Sequence, residues 1–183
     1  MYILVAAAAA FLDQVVKYLI RTNMQVAESI PVIEGLFHIT YVQNRGGAFS
    51  ILEGQTVMLT VLPALLTAAI LIFIYKKRRT EPQLVLLALA LICGGGIGNL
   101  IDRVRFGAVV DFLDFRVFPI FNVADICVCM GCGLLLLTVL FPGRLAGRPK
   151  PVDDQTHCNG FGFSARRRDR RSAIEGETRE YDA

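Results

Sequence analysis

Asp111 and Asp125 are the residues of this chain whose type and setting point most directly to chemistry. Asp125 stands just inside an apolar run from Phe118 to Phe141, and Asp111 closes the segment Gly107-Ala108-Val109-Val110-Asp111 that leads toward it. An ionisable group at the edge of a membrane span is costly to keep there, so it implies a function and a partner. The other carboxylate is that partner. Two like charges held close together cannot both ionise, so one acid keeps a proton that the pair shares. The ionised member can take a proton from water while the protonated member hydrogen-bonds a carbonyl, which is the chemistry of amide hydrolysis. Such a pair requires no side-chain nucleophile, metal or cofactor, and none is expected here.

Other acids compete for the place opposite Asp125. Asp102 adjoins Arg103 at the end of an apolar window, where a local ion pair or a helix-end contact is its expected job. Asp114 lies three residues past Asp111. If that stretch is extended, the odd separation turns the two acids to opposite faces. Only one of them can then face Asp125, and spacing leaves open which.

The elements that must position these acids are membrane spans. Of the 183 residues, 54% are hydrophobic and none is Trp, and the mean hydropathy is +0.52; this composition fits a helical membrane protein better than a soluble domain. The windows Tyr2–Ile20, Val57–Tyr75, Leu84–Ile101 and Phe118–Phe141 each approach the roughly 20 residues that cross about 30 Å of hydrocarbon. Ala6–Ala10 could imitate a signal-peptide cleavage region. However, no basic residue precedes it and the apolar stretch before it is only Tyr2–Val5, so the first helix is expected to stay. Lys76-Lys77-Arg78-Arg79, Arg166-Arg167-Arg168 and Arg170-Arg171 mark their segments as cytoplasmic by the positive-inside rule. The connections 21–55 and 102–117 then lie outside, and both termini inside. The net charge of +3 is a topology signal and implies no nucleic-acid partner.

Asp13 and Lys17 sit four apart on one face of the first helix, where they can neutralise each other. The pair is read either as a structural ion pair near the outer end or as one in which Lys17 also reaches substrate or a lipid head group, since near the interface it can extend its ammonium toward water. From Pro31 to Leu52 the chain alternates weakly, with Phe37, Ile39 and Tyr41 on one side and His38, Thr40 and Gln43 mostly on the other, which predicts strands over the bilayer surface. Asn44-Arg45-Gly46-Gly47 supplies a turn. His38 reads as a surface residue, and the second helix, with Pro63, as scaffold. Gly94-Gly95-Gly96-Ile97-Gly98 follows no strand and lacks a P-loop Lys-Ser/Thr; Gly94 and Gly98 instead admit a neighbouring helix. Asn99 and Arg103 share a face at the outer end of the third helix. Cys127-x-Cys129-x-x-Cys132 reads as small packing residues beside Gly131 and Gly133, and the His157-Cys158 pair is read as unconnected with metal. After Phe141, Pro142-Gly143 breaks the helix, and residues 144–183 are too charged and too poor in large apolar side chains to fold alone. The expected domains are therefore a membrane unit over 1–143, with an outer β segment near 30–55, and a disordered basic tail over 144–183.

Five segments in order carry a resemblance: Asp13-Gln14-x-x-Lys17, Asn44-x-Gly46-x-Ala48-Phe49-Ser50, Gly95-x-x-Gly98-Asn99-x-x-Asp102-Arg103, Val109-Val110-Asp111-Phe112 and Phe121-Asn122-x-Ala124-Asp125. Together they resemble the bacterial lipoprotein signal peptidase (signal peptidase II) family, and the resemblance spans about residues 11–141. It implies an aspartyl endopeptidase of the bacterial plasma membrane that removes signal peptides from prolipoproteins, cutting before a cysteine that carries diacylglycerol. It also implies four transmembrane helices with an outer β-cradle, so the expected fold is all-α membrane with that small addition. It selects Asp111 as the acid paired with Asp125. It matches Asn44, Gly46, Asn99, Arg103 and Asn122 to positions that line the site, with Asp13 and Lys17 in support. Membrane lipids are the other expected partner, and the chain is expected to be a monomer. The long basic tail and short uncharged N-terminus depart from the usual pattern without touching the motifs.

Two rivals remain. A presenilin-like protease would carry a Gly-x-Gly-Asp signature, which this chain lacks. A small proton-coupled transporter or channel subunit using Asp13, Lys17 and Asp125 as a relay would often show repeats and helices broken near the midplane, whereas here the polar residues gather at one outer face. The topology is testable through Cys158. A membrane-impermeant thiol reagent applied to intact cells is expected to leave Cys158 unmodified, and efficient labelling would overturn the orientation.

Overall fold

The computed structural model describes residues 1–46 and 56–141. The four apolar windows form α1 (Tyr2–Asn23), α2 (Thr56–Lys77), α3 (Gln83–Phe106) and α4 (Val123–Leu140). All four are long and apolar enough to cross a membrane. Helix α3 is the centre, packing against α1, α2 and α4. Its glycines make this possible. A Cβ on Gly94 would stand 2.7 Å from the Ala6 carbonyl of α1, one on Gly95 would run into the Ala124 carbonyl of α4, and one on Gly98 would meet the Asp13 carboxylate. Small residues that bring helix backbones together are the usual way helices associate in lipid, where apolar side chains gain nothing by leaving it.

The strands are β1 (Ser29–Ile33), β2 (Phe37–Asn44) and β3 (Val109–Asp114), joined as one antiparallel sheet in the order β1-β2-β3. Strand β2 falls where the alternation predicts a strand, and β1 begins two residues before the predicted segment. A register shift between Ile39 and Val42 interrupts the period, so the adjacent Thr40 and Tyr41 are both buried. The third strand was not expected. Val109, Val110, Asp111, Phe112 and Asp114 are all buried, and a strand covered on both faces shows no alternation to read. The strand is nonetheless what aims the acids. Register places Asp111 opposite Val42 and Asp114 opposite His38.

Helix α4 begins five residues later than the apolar run from Phe118 predicts. Leu113 and Phe121 form an isolated antiparallel bridge, with Leu113 N–H donating to the Phe121 carbonyl at 2.8 Å, so the chain before Asn122 extends the sheet. Asn122 then caps the helix through a reciprocal pair with Asp125. Asp125 is therefore a first-turn residue at the helix mouth, where an acid also suits the helix dipole.

Gly131 is the packing position in the cysteine-rich stretch, touching Ala88 and Ile92, whereas Cys129 and Cys132 are exposed and only Cys127 is half-buried, which corrects the expectation that all three pack. His38 is half-buried and 3.2 Å from the Ser29 hydroxyl. Ala48, Phe49 and Ser50, the rest of the outer segment to 55, the domain boundary at 143, the tail and its His157-Cys158 pair lie outside the described residues.

The glycine contacts predict a contrast. Gly95→Ala should destabilise the protein in detergent by about 1–3 kcal/mol, the usual cost of overpacking. Gly133→Ala, where a new Cβ meets nothing within 4 Å among the described residues, should leave the thermal unfolding midpoint unchanged or slightly raised, since Ala favours a helix interior over Gly.

Candidate active site

Asp111 and Asp125 line the same cavity, of about 610 Å3, at the C-terminal end of α3 and the N-terminal end of α4, beside strands β2 and β3. Asn44, Gly46, Asn99 and Arg103 line it too, as do Phe118, Ile120 and Phe121. Strand β3 delivers Asp111 from the sheet and the first turn of α4 delivers Asp125, so the two acids come together only through tertiary structure. Asp114 points elsewhere: its carboxylate accepts from the Thr40 hydroxyl at 2.9 Å and the Arg116 backbone N–H at 2.8 Å.

Three asparagine side chains hold the two acids. The Asn44 amide donates to Asp111 Oδ2 at 2.9 Å and the Asn122 amide donates to Asp111 Oδ1 at 2.6 Å. The Asn99 amide donates to Asp125 Oδ1 at 2.8 Å, and the Asn122 backbone N–H donates to Asp125 Oδ2 at 3.2 Å. Both carboxylates thus have their oxygens fixed, and Asn122 touches both.

Beneath this layer lies a buried charge cluster. Lys17 and Asp13 are fully buried and 2.9 Å apart, and Lys17 is also 2.9 Å from Asp102, itself fully buried. Lys17 further donates to Asn99 Oδ1 at 2.8 Å. This corrects two expectations. Lys17 does not reach toward water, because three oxygens surround its ammonium inside the bundle. Asp102 pairs with Lys17 and accepts the Val110 N–H at 3.1 Å, leaving its neighbour Arg103 to face the cavity, since adjacent residues on a helix point in different directions. Arg103 reaches the Gly46 carbonyl at 3.4 Å. Asp13 in turn accepts the Ala124 N–H of α4 at 2.9 Å.

Sequence reasoning missed Gln14 as a contributor, although it lies within the first motif. Its amide donates to the Gly98 carbonyl and to Asp102 Oδ1, both at 3.0 Å. An uncharged residue on the α3-facing side of an apolar helix was the available signal.

Electrostatics separates the acids of β3. Burial pushes the Asp111 carboxyl up to about 6; the amide from Asn44 pulls it down and the neighbouring Asp125 charge pushes it further up. Burial acts the same way on Asp114, but the Arg116 N–H and the Thr40 hydroxyl outweigh it and hold that carboxyl below its usual value. Of the two, Asp111 is the acid built to carry a proton.

The family described as signal peptidase (SPase) II matches residues 5–141. The lipoprotein signal peptidase of Halothermothrix orenii is 49% identical over 137 residues, covering 75% of this chain and 93% of its own. That of Moorella thermoacetica is 45% identical over 147 residues, covering 80% and 97%. Among solved structures, a bacterial membrane enzyme determined by the in meso method at 2.3 Å resolution superposes with a TM-score of 0.69 at 34% identity, over 76% of this chain and 87% of that one.

The raised Asp111 value sets a pH dependence. Between the usual 3.8 and about 6, the folded protein holds a proton that the unfolded chain releases. Asp111 therefore contributes stability that is fully present below about pH 4 and is lost as pH rises through about 6. In detergent, wild type should lose stability relative to Asp111→Asn across that window. A difference between the two that stays constant from pH 4 to 7 would show that Asp111 does not hold this proton.

Proposed function

The chain belongs to the signal peptidase II family, and from that premise we propose that it removes signal peptides from prolipoproteins in a bacterial membrane, using Asp111 and Asp125 as an aspartyl dyad. The observation that carries the reading is the convergence of two acids, one raised to about 6, on a single cavity at the outer helix ends. Nothing in the site favours a transporter.

Asp125, held as an acceptor by Asn99 and Asn122, takes a proton from water. Asp111 keeps its proton and donates a hydrogen bond to the scissile carbonyl. Water adds to the carbonyl carbon, giving a tetrahedral intermediate. The Asp111 proton moves onto the carbonyl oxygen as it is attacked; the proton taken by Asp125 then goes to the amide nitrogen as the C–N bond breaks, and one hydroxyl of the collapsing diol returns its proton to Asp111. The asparagine amides are already aimed when the charges move, so little reorganisation is needed. Arg103, at the cavity wall, supplies positive charge beside both acids.

The cavity combines these polar groups with Phe118, Ile120, Phe121 and Val128, an apolar lining that supports a lipid-modified cysteine as the residue placed after the cut. Membrane lipid forms the surroundings, and the enzyme works as a monomer. The basic clusters support an outward-facing site with both termini cytoplasmic.

Asp111→Asn and Asp125→Asn should each abolish cleavage of a diacylglyceryl-modified prolipoprotein while the protein still inserts, because an amide neither activates water nor supplies the shared proton. Asp114→Asn should retain measurable turnover, and Asp102→Asn should act mainly through stability. Single-turnover cleavage by the four purified variants decides it. An active Asp111→Asn enzyme beside a dead Asp114→Asn enzyme would reverse the assignment.

A further inference from the structure

Each asparagine that holds the dyad must present its NH2 group, and not its carbonyl, to a carboxylate. An amide can turn end for end at little steric cost, so something must fix which end faces the acid. For two of the three, a backbone N–H does this. The Gly46 N–H donates to Asn44 Oδ1 at 2.9 Å and the Asp125 N–H donates to Asn122 Oδ1 at 3.0 Å. Each leaves the NH2 free to donate to Asp111.

Asn99 has no such backbone donor on its carbonyl among the described contacts. Its Oδ1 accepts instead from the Lys17 ammonium at 2.8 Å and from the Asn122 amide at 3.1 Å. The Asn122 NH2 has two hydrogens and serves Asp111 with one and Asn99 with the other; the ammonium is the shorter contact on Asn99 and the charged donor, and charge-assisted bonds are the stronger ones. An ammonium has donors and no lone pair. Turning Asn99 over would set NH2 against NH3+ and carbonyl against carboxylate, losing both bonds at once. Lys17 is itself immobile, fully buried between Asp13 and Asp102.

We propose that Lys17 is a positioning residue for the reaction, acting through Asn99 to fix the amide orientation that holds Asp125 as a proton acceptor. The proposal rests on Asp125 belonging to the dyad. It assigns Lys17 a task beyond neutralising Asp13 and Asp102. The groups around Asn99 are consistent with it: α1 presents Asp13 and Lys17, α3 presents Asp102 and Arg103, α4 presents Asp125 and β3 presents Asp111. Of these, Lys17 is the charged donor recorded on the Asn99 carbonyl.

A double-mutant cycle separates positioning from support of the fold. Steady-state cleavage of a diacylglyceryl-modified prolipoprotein by the full-length enzyme in detergent is measured for wild type, Lys17→Met, Asn99→Ala and the double variant, per mole of folded protein. Lys17→Met should lower kcat about tenfold while moving KM less than about threefold. In the Asn99→Ala background the same change should lower kcat less than about twofold, a coupling of the size seen for residues in direct contact. Equal fold-losses in both backgrounds would overturn the proposal, since a residue that only supports the fold acts whether or not Asn99 is present. If Lys17→Met does not accumulate as folded protein, the paired change Asp13→Asn with Lys17→Met removes both halves of the ion pair, and its cycle with Asn99→Ala reads the same coupling. The dyad reading fails separately, through wild-type cleavage by Asp125→Asn.

Discussion

A lysine ammonium removed from water must be met by oxygens, and the end of the bundle that carries the cavity is arranged around that requirement. Charge in a low-dielectric interior is tolerated only when it is paired and its hydrogen bonds are met. Lys17 of α1 finds Asp13 on its own helix and Asp102 and Asn99 on α3. Each of these partners then reaches a different element. Asp13 accepts an N–H at the start of α4, Asp102 accepts one in β3, and Asn99 donates to Asp125. One buried cation thereby ties together the three helices and the strand that carry the site.

The acids above this cluster are held by a different device. Carboxylates are fixed by amide donors, and those amides are fixed by groups that can only donate. The result is a layered arrangement in which charge is balanced below and the two cavity acids are oriented above, with Asn99 in both layers. Asn122 joins the two acids and starts α4 in the same act, because the side chain that caps the helix with Asp125 also donates to Asp111.

None of this would close without the small residues of α3. Gly94, Gly95 and Gly98 bring α1 and α4 to within backbone contact of α3, which is the separation at which Asp13 can bond Ala124 and Lys17 can reach Asn99. Those helices also leave large apolar side chains such as Leu4, Phe11, Leu65 and Val139 exposed. Helices apolar enough to cross a membrane gain little from burying such residues against each other, so close packing and polar contacts inside the bundle are what hold them together.

The spans were legible because twenty apolar residues in a row have one economical reading, and the acids at their ends because charge is rare there. Strands β1 and β2 were legible from alternation, and Gly94 and Gly98 from their spacing. Strand β3 was not, since burial on both faces erases the period, and without it the partner of Asp125 could not be read from spacing among Asp102, Asp111 and Asp114. Likeness to known motifs selected Asp111, and register then turned Asp114 toward Thr40 and away from the cavity. The sequence showed Asp13 and Lys17 as neighbours on one helix face. Only the tertiary structure brought Asp102 and Asn99 to the same ammonium, because a contact between residues more than eighty positions apart is set by how helices pack, and no local pattern records it.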